Sequence, residues 1–223
     1  MNLPMTANDT LGQLAATYPL STQVFLRHRL DFCCGGKQTL QDACRTRGLD
    51  PDAVIREIEG EAPVTAKLRW DSAPLTELME FIITRYHHSL RRDLPGLIEA
   101  ARRVERVHGA KPSCPRGLTA LLEEVYSELS SHMDKEEQVL FPLIAAGGVG
   151  PRVHMPVRMM MMEHDDHGTN LRSLRALVTD FVPPPEACAT WRALYVGLER
   201  LEGELMEHIH LENNVLFPRA LAG

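Results

Sequence analysis

The sequence has no block rich in Lys and Arg, and its formal net charge is −6. Together these argue against a general nucleic-acid binder. No run approaches the ~18 apolar residues that a membrane span needs, so no membrane role is expected. The opening stretch MNLPMTANDT lacks a basic segment followed by an apolar run, which reads as a chain without a secretory signal. Cysteine is sparse and odd in number, five in 223 residues. That count suits a reducing cytoplasm rather than a disulfide framework. No segment shows convincing strand periodicity. What remains, at 44% hydrophobic and 24% charged, is the composition of a soluble globular protein with ample material for a core.

Two unequal parts follow from the pattern. Residues 1–60 read as several short helices: one opens near Asp9 and Thr10, Pro19 breaks the chain, and Gly48 stops TLQDACRTRG. Asp50 caps PDAVIREIE, with Pro51 at the first helical position. Residues 61–74 read as a linker. Four long helical patterns occupy residues 75–223, at about 75–107, 117–141, 157–181 and 187–216. Short loops between four such helices make an antiparallel bundle, so the expected fold is all-α, a four-helix bundle preceded by a small helical N-terminal domain.

The second pattern carries an anomaly. Its apolar stripe runs Leu118, Leu122, Val125, Leu129, then places His132 and Glu136 where core residues belong, and resumes at Val139. The fourth repeats it: EHIHLENNVLFP echoes SHMDKEEQVLFP 76 residues later, and His208 and Glu212 follow Trp191, Leu194, Leu198, Leu201 and Leu205 on one stripe. A second echo lies upstream, since His87 precedes His132 by 45 residues and His164 precedes His208 by 44. The bundle therefore reads as a doubled helical hairpin in which each half supplies a His and then a His-x-x-x-Glu.

Residues four apart share a helical face, so a His and a Glu so spaced can grip a common centre. A carboxylate buried among Leu and Val is too costly unless neutralised, paired or bound to metal. Four imidazoles and two bridging carboxylates make about eight bonds to metal, and two six-coordinate ions offer about twelve positions. The remainder suits an oxo or hydroxo bridge and small exogenous ligands. Eight bonds would also close two tetrahedral zinc sites, so spacing leaves zinc open. Bundles with carboxylate-histidine cores are commonly di-iron or di-manganese, and two iron ions come first by that analogy.

Other residues compete for roles. His167 stands three residues past His164 on nearly the same face, and the repeat spacing favours His164. His88 and His210 fall off the stripe and are expected at the surface. Glu128 and Glu204, each four residues before a ligand His, could orient imidazoles or gate a channel, and Glu163 is a further candidate of that kind. The run Met159 to Met162 reads as adaptable core packing. In DFCCGGKQ, Cys33 and Cys34 before two glycines make a flexible, accessible loop whose paired thiols suit redox or transfer chemistry.

With these residues in view, the chain resembles the RIC proteins, di-iron proteins for repair of iron centres, over essentially its whole length. DFCCGGKQTL resembles the signature of that family's small N-terminal domain. RYHHSLR, ELSSHMDKEEQVLFP, MMEHDDHG and MEHIHLENNVLFPRALAG resemble its hemerythrin-like bundle. The resemblance implies His87, His132, His164 and His208 as terminal ligands, with Glu136 and Glu212 bridging the irons, and so prefers His164 to His167. It further implies a cytoplasmic stress protein that restores iron-sulfur clusters damaged by nitric oxide or peroxide, by supplying iron. Its clients would be damaged iron-sulfur proteins, and a homodimer is among the assemblies it allows. His88, where the family commonly carries Asp, and the extra imidazole of His210 leave open a modified entrance. Two other classes stay in view: a di-iron nitric oxide reductase, and a hemerythrin-type binder or sensor of dioxygen, for which vicinal thiols have no use.

Overall fold

The computed structural model describes residues 5–61, 70–148 and 150–222. Most of the linker expected at 61–74 lies outside them. The N-terminal part contains α1 (Leu11–Thr17), α2 (Ser21–Arg27), α3 (Leu40–Arg47) and α4 (Pro51–Gly60). Their ends follow local chemistry. Thr10 and Gln13 close a capping box on α1, Asp50 accepts from the backbone of α4 ahead of Pro51, and Gly48 ends α3 at φ +68°. Leu11, Leu14, Phe25, Phe32, Leu40 and Val54 form a small core of their own.

The bundle is built from long helices interrupted at one place each in three of four cases. The first comprises α5 (Leu75–Ile82), a π segment over Ile83–His87, and α6 (His88–His108). The second comprises α7 (Leu118–Lys135), a π segment over Glu136–Leu140, and α8 (Phe141–Ala145). The third is α9 (His154–Leu177). The fourth comprises α10 (Ala189–Leu211), a π segment over Glu212–Leu216, and α11 (Phe217–Ala222). Helix α6 packs on α7 and α10, and α7 packs on α9. No strand occurs among the described residues, and none of their helices is long and apolar enough to cross a membrane.

The π segments bear on one departure from the expected stripe. In each, a backbone N–H reaches back five residues: His88 to Ile83, Phe141 to Glu136, and Phe217 to Glu212. Each wide turn holds one residue more than an α turn and shifts the buried face accordingly. Val139, expected to resume the core stripe, is 56% exposed and Leu140 is inside, whereas the matching Val215 of the fourth helix stays buried at 4%. The third helix also ends earlier than its pattern suggested, because Thr179, Asp180 and Phe181 all take positive φ. Of the four consecutive methionines only Met160 is in the core, while Met159 and Met162 face outward.

Two apolar clusters fill the bundle. One contains Leu90, Leu94, Leu122, Leu129, Trp191, Leu198 and Leu205, the other Ile82, Tyr86, Leu140, Phe141, Val157, Leu216 and Phe217. His87 lies between Tyr86 and Leu90, and His132 between Leu129 and Leu140. The histidine and glutamate layer thus separates two greasy blocks, and burial on both sides keeps bulk water from it.

Candidate metal centre

Every one of the six residues singled out by the duplicated pattern is buried: His87, Glu136, His164, His208 and Glu212 at 0% exposure and His132 at 1%. Their donor atoms form two clusters. His87 Nε2 and His208 Nε2 stand 3.1 Å apart, with Glu136 Oε2 3.4 Å from the first and Glu212 Oε1 3.0 Å from the second. His132 Nε2 and His164 Nε2 also stand 3.1 Å apart, with Glu136 Oε1 3.5 Å from His132 and Glu212 Oε2 3.1 Å from His164. Each glutamate divides its two oxygens between the clusters, and each cluster draws one His from either half of the duplicated sequence. Within each set all donor atoms lie within 4.8 Å of one another.

These spacings match what an ion requires. Bonds of about 2.1 Å place neighbouring donors about 3.0 Å apart at right angles and about 3.4 Å apart in a tetrahedron. Both oxygens of Glu136 are buried without a hydrogen bond from any described residue, an arrangement that costs stability unless something else takes the lone pairs. The donor set of imidazole and carboxylate, with two shared carboxylates, fits a pair of divalent or trivalent ions.

Three imidazoles are oriented by partners on their outer nitrogens. His87 Nδ1–H donates to Glu137 at 2.8 Å, His132 Nδ1–H to Glu163 at 2.9 Å, and His164 Nδ1–H to Asn213 Oδ1 at 2.8 Å. Donation from Nδ1 leaves the Nε2 lone pair directed inward, the tautomer a metal ligand needs. Glu137 is held in turn by Arg91 at 2.6 Å, and Glu163 by Lys135 at 2.5 Å. His208 Nδ1 has no partner among the described residues, and its ring is instead stacked on Tyr86, centroids 5.6 Å apart at 11°.

The electrostatics agree. Burial, aided by repulsion from His208, brings the His87 pKa down to about 3, and burial brings His132 to about 4, so both rings are neutral near pH 7. Burial and the charge of Glu212 push the Glu136 carboxyl well above the usual range. Burial also opposes ionisation of Glu212, but the neighbouring imidazoles of His208 and His164 outweigh it and hold that carboxyl down.

The remaining candidates divide. Glu163 does orient an imidazole. Glu204 instead pairs with Arg85 at 3.2 Å and Arg200 at 3.0 Å, and the exposed Glu128 accepts from Asn170, so neither touches a ring of the centre. Glu137 and Asn213 were missed, although each follows its repeat's glutamate directly and the duplication marks the pair. His88 is exposed as expected. His210 is not: it is 3% exposed, because the N-terminal part covers that face. There Phe32 meets its ring edge-on at 5.6 Å, and Asn214 Nδ2 donates to its Nδ1 at 3.0 Å.

The cysteine loop is likewise docked rather than free. Cys33 is 4% exposed, and Asp31 binds the loop together by accepting from the backbone N–H groups of Cys34 and Gly35. Cys34 Sγ–H donates to the His164 carbonyl at 3.2 Å, and Asn213 Nδ2 donates to the Cys33 carbonyl at 3.2 Å. Asn213 therefore ties the loop to a candidate ligand through one side chain. Close approach requires glycine here: a Cβ on Gly36 or Gly12 would fall 2.7 or 2.3 Å from Asn214 Oδ1.

A four-helix bundle with a His and Glu layer across its core places the chain in the hemerythrin class of metal proteins. Residues 79–220 match the family described as the hemerythrin HHE cation binding domain, and residues 7–62 match a domain of unknown function, DUF542. The chain is 49% identical to iron-sulfur cluster repair protein YtfE of Yersinia pseudotuberculosis serotype IB (strain PB1/+) over 217 residues, covering 97% of this chain and 98% of that one. Its likeness to the YtfE of Yersinia pestis (strain Pestoides F) has the same identity and coverage. This chain belongs to the RIC family, for repair of iron centres.

Proposed function

We propose that this chain repairs iron-sulfur clusters and does so as an iron donor, holding two iron ions in the buried layer. The observation that carries the two-metal reading is the division of Glu136 and Glu212 oxygens between two His pairs. In this reading His87 and His208 would hold one ion, His132 and His164 the other, and Glu136 and Glu212 would serve both. Relatives spanning nearly the whole chain are named as iron-sulfur cluster repair proteins, which supports the same role here. When bound, the ions supply Lewis-acid and redox chemistry. The chain's own residues fix the neutral imidazoles through Glu137, Glu163 and Asn213, exclude bulk water with the two apolar blocks, and set Cys33 and Cys34 beside the His164 backbone. Those thiols are the candidates for passing iron to damaged iron-sulfur proteins, in the reducing cytoplasm where five free cysteines are at home.

The test loads the full chain with iron and incubates it with an apo ferredoxin and sulfide. Cluster formation drawing on the chain's own iron supports donation. Nitrous oxide production from the reduced, nitric oxide-treated protein without iron transfer would replace donation by nitric oxide reduction.

A further inference from the structure

His167 has no place in the ligand set, yet it is 3% exposed in the same layer of the bundle. Neither ring nitrogen has a hydrogen-bond partner among the described residues. An imidazole so buried is costly to leave unpaired. Its ring meets that of His132 edge to face, centroids 5.0 Å apart at 88°, and stands 6.4 Å from His164. Its nitrogens belong to neither cluster of donor atoms lying within 4.8 Å of one another. The ring thus stands next to the His132 and His164 position without belonging to its donor set.

The duplication makes the placement specific. His164 of the second half corresponds to His87 of the first, so His167 corresponds to Leu90, a core leucine at 1% exposure. One half of the bundle therefore carries an imidazole where the other carries a hydrocarbon. A neutral ring has one N–H to donate, and the metal position of His132 and His164 stands beside this one.

We propose that His167 is a ligand-binding residue: it donates a hydrogen bond to a small anion carried at the metal position of His132 and His164. The inference rests on the two-metal reading. It makes the two positions unequal, one able to hold an exogenous anion through ion and imidazole together, the other faced by Leu90. Two ions less two carboxylates leave a positive centre, which suits an anionic guest.

Azide is the probe. The iron-loaded full chain is titrated with azide and its absorption followed, for the wild type, His167→Leu and His167→Gln, with iron content measured on each sample. Leucine is the residue the fold already accommodates at the duplicate position, and glutamine retains an N–H donor. We expect unchanged iron content, azide affinity about tenfold weaker in His167→Leu as one charge-assisted hydrogen bond is lost, and recovery to within about threefold in His167→Gln. Equal azide affinity in the wild type and His167→Leu would overturn the proposal and make His167 a packing residue. Loss of iron from His167→Leu would overturn it in favour of direct ligation. A wild type that holds no pair of irons removes the centre itself, and this inference with it.

Discussion

Replacing Glu136 by methionine separates a metal centre from a merely structural polar network. Methionine is also unbranched and a good helix former, so the backbone is little disturbed. In the metal-free protein burial and the charge of Glu212 push the Glu136 pKa well up and disfavour its charged form. Both its oxygens are buried and unbonded among the described residues, with His87 and His132 at 3.4 and 3.5 Å. An unsatisfied buried polar group costs about 1–3 kcal/mol, and replacing it by an apolar group of like shape returns much of that. The metal-free Glu136→Met chain should therefore be more stable than the metal-free wild type by about 2 kcal/mol. For a chain of this size that is a rise in Tm of about 4–8 °C. The same variant should lose its paired metals and with them any metal-dependent stabilisation. Differential scanning calorimetry of chelator-treated and iron-loaded samples of both proteins measures all four quantities. A metal-free variant less stable than the metal-free wild type would refute the reasoning, for it would show Glu136 bonded within a network that needs no ion.

Iron-loaded wild type should contain about two irons per chain, and a content near one, measured by plasma emission, would remove the bridging role of the glutamates. Asn213→Leu deprives His164 of its acceptor and the Cys33 carbonyl of its donor; chelator competition should show metal affinity lowered about 10–100-fold, and equal affinity would make that bond incidental. The metal-free chain should lose stability as pH falls from 7 to 5. His87 and His167 stay neutral in the folded state down to about 3, and His132 and His210 down to about 4, while unfolded histidines bind protons below about 6.5, four sites against the one proton that burial favours on Glu136. The unfolded state then holds more protons across that window, so stability rises with pH there, and urea midpoints that are flat between pH 5 and 7 would contradict it. The double variant Cys33→Ser, Cys34→Ser should keep its iron, because serine can still donate to the His164 carbonyl, but should transfer iron to an apo ferredoxin more slowly; unchanged transfer would free the thiols of that role.

Much of the centre was legible because its residues interrupt an otherwise strict pattern. Trp191, Leu194, Leu198, Leu201 and Leu205 are all buried as their spacing requires, so His208 and Glu212 on the same stripe had to be inside as well. The paired copy at His132 and Glu136 excluded coincidence. What stayed hidden depends on distant contacts or on backbone geometry without a periodic signal. Val139 stands outside and Leu140 inside within a π turn, and no apolar spacing announces a turn that is one residue too wide. His210 lies off the bundle's own apolar stripe and is buried because Phe32 of the N-terminal part covers its ring, while Asn214 of its own helix bonds its Nδ1. The cysteine loop looked free for the same reason: its partners, His164 and Asn213, lie about 130 and 180 residues away in sequence.

The duplicated hairpin is symmetric in its ligands and asymmetric in what stands behind them. In the first half both imidazoles donate to carboxylates, His87 to Glu137 and His132 to Glu163. In the second half His164 donates to the neutral Asn213, and His208 has no acceptor among the described residues. A carboxylate partner makes an imidazole a stronger donor to metal. Because each cluster takes one His from either half, an ion held at either would receive one strengthened ligand and one ordinary ligand. Neither position is therefore deeply favoured through its histidines, and the difference between them falls to the groups around the rings. On one side are Leu90 and the stacked Tyr86. On the other are His167, the Asn213 amide and, through the His164 carbonyl, the Cys34 thiol. If the chain holds two irons and donates one, the expectation is that it leaves from the side that meets polar donors and a docked thiol loop. The side backed by leucine and tyrosine would then keep its ion and, with it, the joint between the two hairpins.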